Sequence, residues 1–209
     1  MITEAELVKK VRTLLNEAEQ EGVSLITGDT LLLDKHIAAL LPEAVLFIQM
    51  NKAQGVLNAK SLANCTLKVD GDGGAVVQLP DDYIRLVSIK VDSWKRPCTK
   101  SYPQGSVIAN LQCDKYMRTG NYSPVCIEGA DAAGSLTLKL YPAEAASVVE
   151  SLLYEARYDA SEGLAGGCEP LIKAVAYQCA ALVCSVYERH DTANVFLGLA
   201  AALCNNDKM

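Results

Sequence analysis

Eight cysteines, at positions 65, 98, 113, 126, 168, 179, 184 and 204, and two histidines, His36 and His190, are the side chains here best suited to nucleophilic, acid–base or soft-metal chemistry. Their spacing does not organise that capacity. No Cys-x-x-Cys pair occurs, and two histidines offer poor spacing for a zinc set. A serine or cysteine nucleophile needs a positioned base, yet His36 falls in a helical pattern and His190 at a corner between two helices. The thiols therefore read as reduced, mostly buried packing residues. Cys98, Cys113, Cys126, Asp81 and His190 are the nominal members of any site assembled from scattered residues.

The remaining candidates are equally sparse. Asp70, Asp72, Asp81 and Asp82 are hard-cation ligands by type, but they lack the spaced oxygens and closing glutamate of a calcium loop. Gly71, Gly73 and Gly74 precede no Lys-Ser/Thr and no helical pattern, so they read as a hairpin turn and not as a phosphate cradle. Trp94, Tyr102, Tyr116 and Tyr122 lack the alternation with basic residues that a nucleic-acid stacking platform needs, and read as packing or interface residues. The expectation is a protein with no catalytic, cofactor or metal-binding residues, and not an enzyme.

The elements that would position these groups change period along the chain. Thr3 and Glu6 form a capping box, after which Leu7, Val11, Leu14, Leu15 and Ala18 recur at helical spacing up to Gly22. Asp34 is placed to cap a short turn carrying Ile37, Leu40 and Leu41, and Pro42 to break or kink the chain and start a new helix with Val45 and Ile48. From Cys65 the pattern is that of strands. Residues 66–69 and 75–79 read as a hairpin around Asp70–Gly74, and Ile84–Val91 as a strand with Ile84, Leu86, Ser88 and Lys90 on one side and Arg85, Val87, Ile89 and Val91 on the other. Pro80-Asp81-Asp82 is expected to turn the chain through aspartate bonds to local amides. Residues 94–124 carry few signals beyond a short strand at Val107–Leu111, and further strands fall at Val125–Glu128, Ser135–Tyr141 and Ser151–Tyr158.

Gly163–Gly167 reads as a linker. Glu169-Pro170 then opens a helix to about Arg189 that carries one charge, Lys173, between Leu171 and Tyr187. Its uncharged run rises only about 21 Å, short of a bilayer's hydrocarbon core, so it reads as a core or interface helix. Asp191 or Thr192 caps a last helix with Val195, Phe196, Leu199 and Leu203.

The formal charge of -6 argues against broad nucleic-acid binding, which rests on cation density. Acidic groups outnumber basic ones at both ends, whereas the middle is balanced and carries Lys90, Lys95, Arg96, Lys100, Lys115 and Arg118. These read as a solvated face or a patch for an acidic partner. The opening Met1-Ile2-Thr3-Glu4 has neither the basic start nor the apolar core of a signal peptide, which implies an intracellular protein.

The run Leu79-Pro80-Asp81-Asp82-Tyr83-Ile84-Arg85-Leu86-Val87-Ser88-Ile89 resembles the strand entry of head-tail connector, or adaptor, proteins of tailed bacteriophages. Leu41-Pro42-Glu43-Ala44 is similar to a helix start of the same family, and the order of helices, β insertion and paired C-terminal helices follows its layout. The tract from Lys95 to Pro124 is longer than the family's usual insertion. The resemblance implies an α+β fold in one connector-like domain, 1–209. N-terminal helices would occupy 1–60, a β-rich insertion 61–160 and a C-terminal helix pair 168–205. It further implies a structural protein of the virion, assembled in the bacterial cytoplasm as a homo-oligomeric ring that binds portal and tail proteins, with no membrane and no specific nucleic acid. The residues alone leave two other classes open: a small enzyme or ligand-binding protein, and a bacterial protein-interaction module.

Overall fold

The protein is α+β, with helices from the N- and C-terminal segments flanking a central sheet region in sequence. The structure is a computed structural model and describes residues 2–19, 30–52, 55–62, 65, 67–70, 73–144, 147–165 and 167–205. The chain divides into two compact units, Met1–Asn58 with Arg157–Met209, and Ala59–Ala156. Each has its own hydrophobic core.

The first unit is helical. Helix α1 (Glu4–Glu19) starts at the expected capping box: the Thr3 N–H donates to Glu6 Oε2 at 2.9 Å, and the Glu6 N–H donates to Thr3 Oγ1 at 3.3 Å. Leu7, Val11 and Leu15, four residues apart, form its buried stripe. The expected stop at Gly22 lies outside the described residues.

Helix α2 (Thr30–Asn51) corrects the expected break, because it runs unbroken through Pro42, and Asp34 sits inside it as an ion partner of Arg12 instead of a cap. The reason is tertiary. An interior proline costs about 3 kcal/mol, but Ile37, Leu41, Ala44, Val45 and Ile48 form one fully buried stripe across it. At roughly 1.5–3 kcal/mol per large aliphatic side chain, keeping that stripe continuous outweighs the lost hydrogen bond.

Helix α4 (Glu169–Val186) begins with Pro170 in its first turn and buries residues on most of its circumference, including Val175, Cys179, Val183 and Cys184. By length and composition it passes as a membrane span, but 61% of it is buried in the protein, against α2, α1 and α5 (His190–Cys204). It ends three residues before the expected Arg189. Glu188 adopts a left-handed conformation (φ 59°), and the Arg189 N–H reaches back to the Cys184 carbonyl at 2.9 Å. Such a stop normally announces itself by glycine or asparagine, so a glutamate there gave no signal. Helix α5 then starts at His190 with Arg189 at its cap position and no side-chain cap bond, so neither Asp191 nor Thr192 caps it.

The expected linker at 163–167 is instead stitched into this unit. Ile2 and Leu164 exchange two backbone hydrogen bonds, Leu57 bridges Gly167, and Leu164 is buried.

The second unit holds two sheets. Strands β1 (Ala59–Ser61), β8 (Val149–Ala156) and β4 (Tyr83–Val91) form a three-stranded antiparallel sheet in the order β1-β8-β4. Strands β2 (Lys68–Val69), β3 (Ala75–Gln78), β7 (Leu136–Tyr141), β6 (Val125–Ala130) and β5 (Ser101–Pro103) form the other, in the order β2-β3-β7-β6-β5. Side chains from both sheets share one core, among them Leu86, Ile89, Leu152 and Tyr154 from the first and Val77, Cys126, Leu138 and Leu140 from the second. The chain passes between the sheets within a few residues: Cys98 bridges Ile89 of β4, and Ser101 already pairs in parallel with Cys126 of β6.

The β2–β3 hairpin forms, shorter than expected, with the Asp70 side chain accepting from the Gly74 N–H at 2.9 Å; Gly71 and Asp72 lie outside the described residues. Strand β4 departs from simple alternation. Register shifts at three places along its pairing with β8 leave Tyr83, Leu86, Ile89 and Val91 buried instead of either alternate set. A bulge adds one residue and turns the next side chain to the other face, which a period of two does not foresee. Val107–Cys113 is a helix, α3, and not the expected strand: the Ser106 hydroxyl accepts from the Ala109 N–H at 3.2 Å, and a capped first turn overrides the β-branched Val107-Ile108 start. Strand β5 carried no recognisable pattern.

Candidate functional site

Of the five nominal site residues, two, Cys98 and Cys126, lie in the same core of the β unit. Cys113 is exposed at the end of α3, Asp81 is exposed in the turn before β4, and His190 opens α5 in the helical unit. Five cysteines are buried, in line with a packing role: 98, 126, 179, 184 and 204. Among the described residues, no cluster of three or more His, Cys, Asp or Glu side chains is placed to hold a metal ion.

Beside these thiols lies a cross-sheet polar group. Residues 126 and 128, two apart on β6, share one face of the five-stranded sheet. From that face Cys126 enters the core that also contains Cys98, held beside β4, and Glu128 accepts hydrogen bonds from the phenol of Tyr83 on β4 and from Ser101 Oγ at 2.7 Å. Cys98 Sγ also donates to the Lys100 carbonyl at 3.2 Å.

The environment separates the titrations. The Cys126 thiol stabilises a thiolate at Cys98 and, against the opposing effect of burial, pulls its pKa down to about 6. The neighbouring Cys98 and burial push the Cys126 thiol well above the ordinary thiol range. Burial and the carboxylate of Glu128 likewise hold the Tyr83 phenol in its protonated form. Sequence reading missed Tyr83, Ser101 and Glu128 here; the available signal was the i, i+2 relation of Cys126 and Glu128.

The turn before β4 works differently from expectation. Asp82 does not bond local amides but accepts from Tyr154 Oη at 3.0 Å and pairs with Lys60 Nζ at 2.9 Å, tying the turn to β8 and β1. Trp94 is buried with its indole N–H on the Pro142 carbonyl at 2.7 Å, so it is core, while Tyr116 and Tyr122 are exposed. Three of the six basic residues singled out in the middle segment are engaged with neighbours: Lys90 pairs with Glu150, Lys100 lies over the Tyr102 ring, and the Arg118 guanidinium lies over Tyr141. An open groove of about 540 Å³ runs beside β2, β3 and β7, lined by Lys68, Asp70, Gln78, Asp131 and Thr137 among others.

The helical unit presents exposed apolar helix faces. On α5 the residues Ala193, Phe196, Ala200 and Cys204 face inward, leaving Val195, Leu197, Gly198, Leu199, Ala201 and Ala202 exposed. No charge interrupts this helix between Asp191 and its end. On α2, Leu46, Phe47 and Met50 form a second exposed apolar stripe. Isolated exposed aliphatics are ordinary, but contiguous apolar helix faces of this kind mark interaction surfaces.

No protein-family model matches the chain, and comparison with curated proteins finds no match.

Proposed function

We propose that this chain is a structural assembly protein of the phage head-tail connector type, acting as a homo-oligomeric ring that binds portal and tail components in the virion, and not an enzyme. The observation that carries this reading is the outer face of α5, fifteen residues long with three large aliphatic side chains exposed and no charge after Asp191. A soluble chain gains by covering such a face, and its small residues Gly198, Ala201 and Ala202 permit close approach of another helix. The exposed stripe on α2 offers a different patch on the same unit. Two unlike patches favour head-to-tail contacts, the kind that close into rings when the rotation per subunit permits. The Leu79–Ile89 run, by which the sequence resembles connectors, occupies the turn and first long strand of the β unit, where Asp82 is bound by Lys60 and Tyr154. On this reading it serves as scaffold, and partner contacts come from the surface.

The test is to mix the purified protein with the portal protein encoded beside it and image the mixture by negative stain. Stacked rings or added density on the portal are expected, and Leu199→Lys is expected to abolish them while leaving the far-UV circular dichroism of the protein unchanged. Absence of bound density across salt and concentration, or assembly indifferent to Leu199→Lys, would overturn the reading.

A further inference from the structure

The cations of the β unit fall into two sets. Lys60, Arg85, Lys90 and Lys139 each hold a carboxylate. Lys95, Arg96, Lys100 and Lys115 are exposed, and none of them is ion-paired with a described carboxylate. The segment they occupy, residues 94–124, carries five cations and one carboxylate, whereas the rest of the chain carries 14 and 24. That one carboxylate, Asp114, is turned to its own loop, where Oδ1 accepts from the Tyr116 N–H at 2.8 Å. At an ionic strength near 0.1 M a Debye length of about 10 Å largely screens the acidic remainder, so the local excess decides what approaches this surface.

The same segment holds the two most exposed aromatic side chains among the described residues, Tyr116 at 92% and Tyr122 at 71%. Neither belongs to a hydrophobic core. Tyr116 follows Lys115 in a loop pinned to α3: Thr119 donates its N–H and its hydroxyl to Gln112 Oε1, each at 3.1 Å, and Arg118 Nε donates to the Gln112 carbonyl at 2.9 Å. Tyr122 is brought to Lys95 and Arg96 by the backbone bond from the Lys95 N–H to the Asn121 carbonyl, at 2.9 Å. Cations and aromatic rings that do not alternate along the chain thus become neighbours in the fold. Six residues of chain hold the Tyr116 and Tyr122 Cα atoms within about 20 Å of each other.

We propose that this surface of the β unit binds single-stranded nucleic acid without sequence preference, with Lys95, Arg96, Lys100 and Lys115 contacting phosphates and Tyr116 and Tyr122 stacking on bases. Such a strand needs cations for its backbone and flat apolar faces for its unpaired bases. An acidic protein surface would account for the cations alone. A duplex hides its base faces, and α3, at seven residues, is too short to read a groove. The proposal concerns the β unit only and stands apart from the assembly reading.

The test is fluorescence anisotropy of the full chain with labelled oligothymidylate and oligouridylate, each of about 20 nucleotides, across a salt series. An abasic strand of the same length and polyglutamate are the controls. Affinity is expected to fall with salt at a logarithmic slope of about -3, from four phosphate contacts at about 0.7 each. The tighter of the two strands identifies DNA or RNA as the ligand. Lys95→Gln combined with Arg96→Gln should flatten the slope by about 1.4. Tyr116→Ala and Tyr122→Ala should each weaken binding about fivefold or more with the slope unchanged. All four positions are exposed, and far-UV circular dichroism checks that the variants fold. Absence of binding at low salt, equal affinity for the abasic strand or polyglutamate, or indifference to both tyrosine substitutions would overturn the proposal, the last two by marking a general surface for acidic partners.

Discussion

Ile89 is the residue through which the architecture of the β unit is most directly tested. It is fully buried in the core shared by the two sheets, and its backbone both pairs with Leu152 of β8 and bridges Cys98. Ile89→Ala removes three carbons, about 2.4 kcal/mol of transfer free energy at ~0.8 per methylene. The roughly 80 Å³ they vacate adds about 2 kcal/mol at 24 cal/mol per Å³ if the surroundings do not relax. Partial collapse brings the expected cost to about 3–4 kcal/mol.

The assay is built into the protein. Trp94, the single tryptophan, is buried in the same cluster, with its indole N–H on Pro142, so its fluorescence follows this core. With an m-value near 1.5 kcal/mol/M, the urea midpoint reported by Trp94 should fall by about 2 M or more. Val107→Ala, at a position 75% exposed on α3, serves as the control. It should change stability by less than about 0.5 kcal/mol. An Ile89→Ala midpoint within about 0.5 M of the parent would refute the placement of Ile89 in a tightly packed two-sheet core.

Other outcomes follow from the same reasoning. Val183→Asp buries a charge at a position 1% exposed in α4 and should cost more than about 4 kcal/mol, read as insoluble protein or loss of the cooperative thermal transition in circular dichroism. Gly163 has φ +69°, and a Cβ there would press on the Ile2 carbonyl; Gly163→Ala should therefore lower the melting temperature and expose the Ile2 and Leu164 amides to hydrogen exchange. The Thr3 N–H and hydroxyl hold the Glu6 carboxyl below its ordinary pKa. A lowered acid pKa contributes stability above the unfolded-state value and loses it as the pH falls through the folded one. An NMR titration should find the Glu6 midpoint below that of a free glutamate and partly restored by Thr3→Ala.

The parts of this protein legible in its sequence are those governed by neighbours along the chain. The Thr3–Glu6 box, the 7-11-15 stripe of α1, the Asp70–Gly74 hairpin turn and the proline-led start of α4 each need only a few consecutive residues and a periodicity. The α+β class follows from the change of period between the segments. What only the tertiary structure decided depends on residues far apart. Pro42 stays inside a helix because a buried stripe continues across it; β4 buries Leu86, Ile89 and Val91 because bulges against β8 reset its alternation. The Tyr83–Ser101–Glu128 group exists because side chains of the two sheets share one core. Spacing along a chain encodes local geometry, whereas which faces are buried against each other is set by the free energy of packing the whole core, and no short window contains that term.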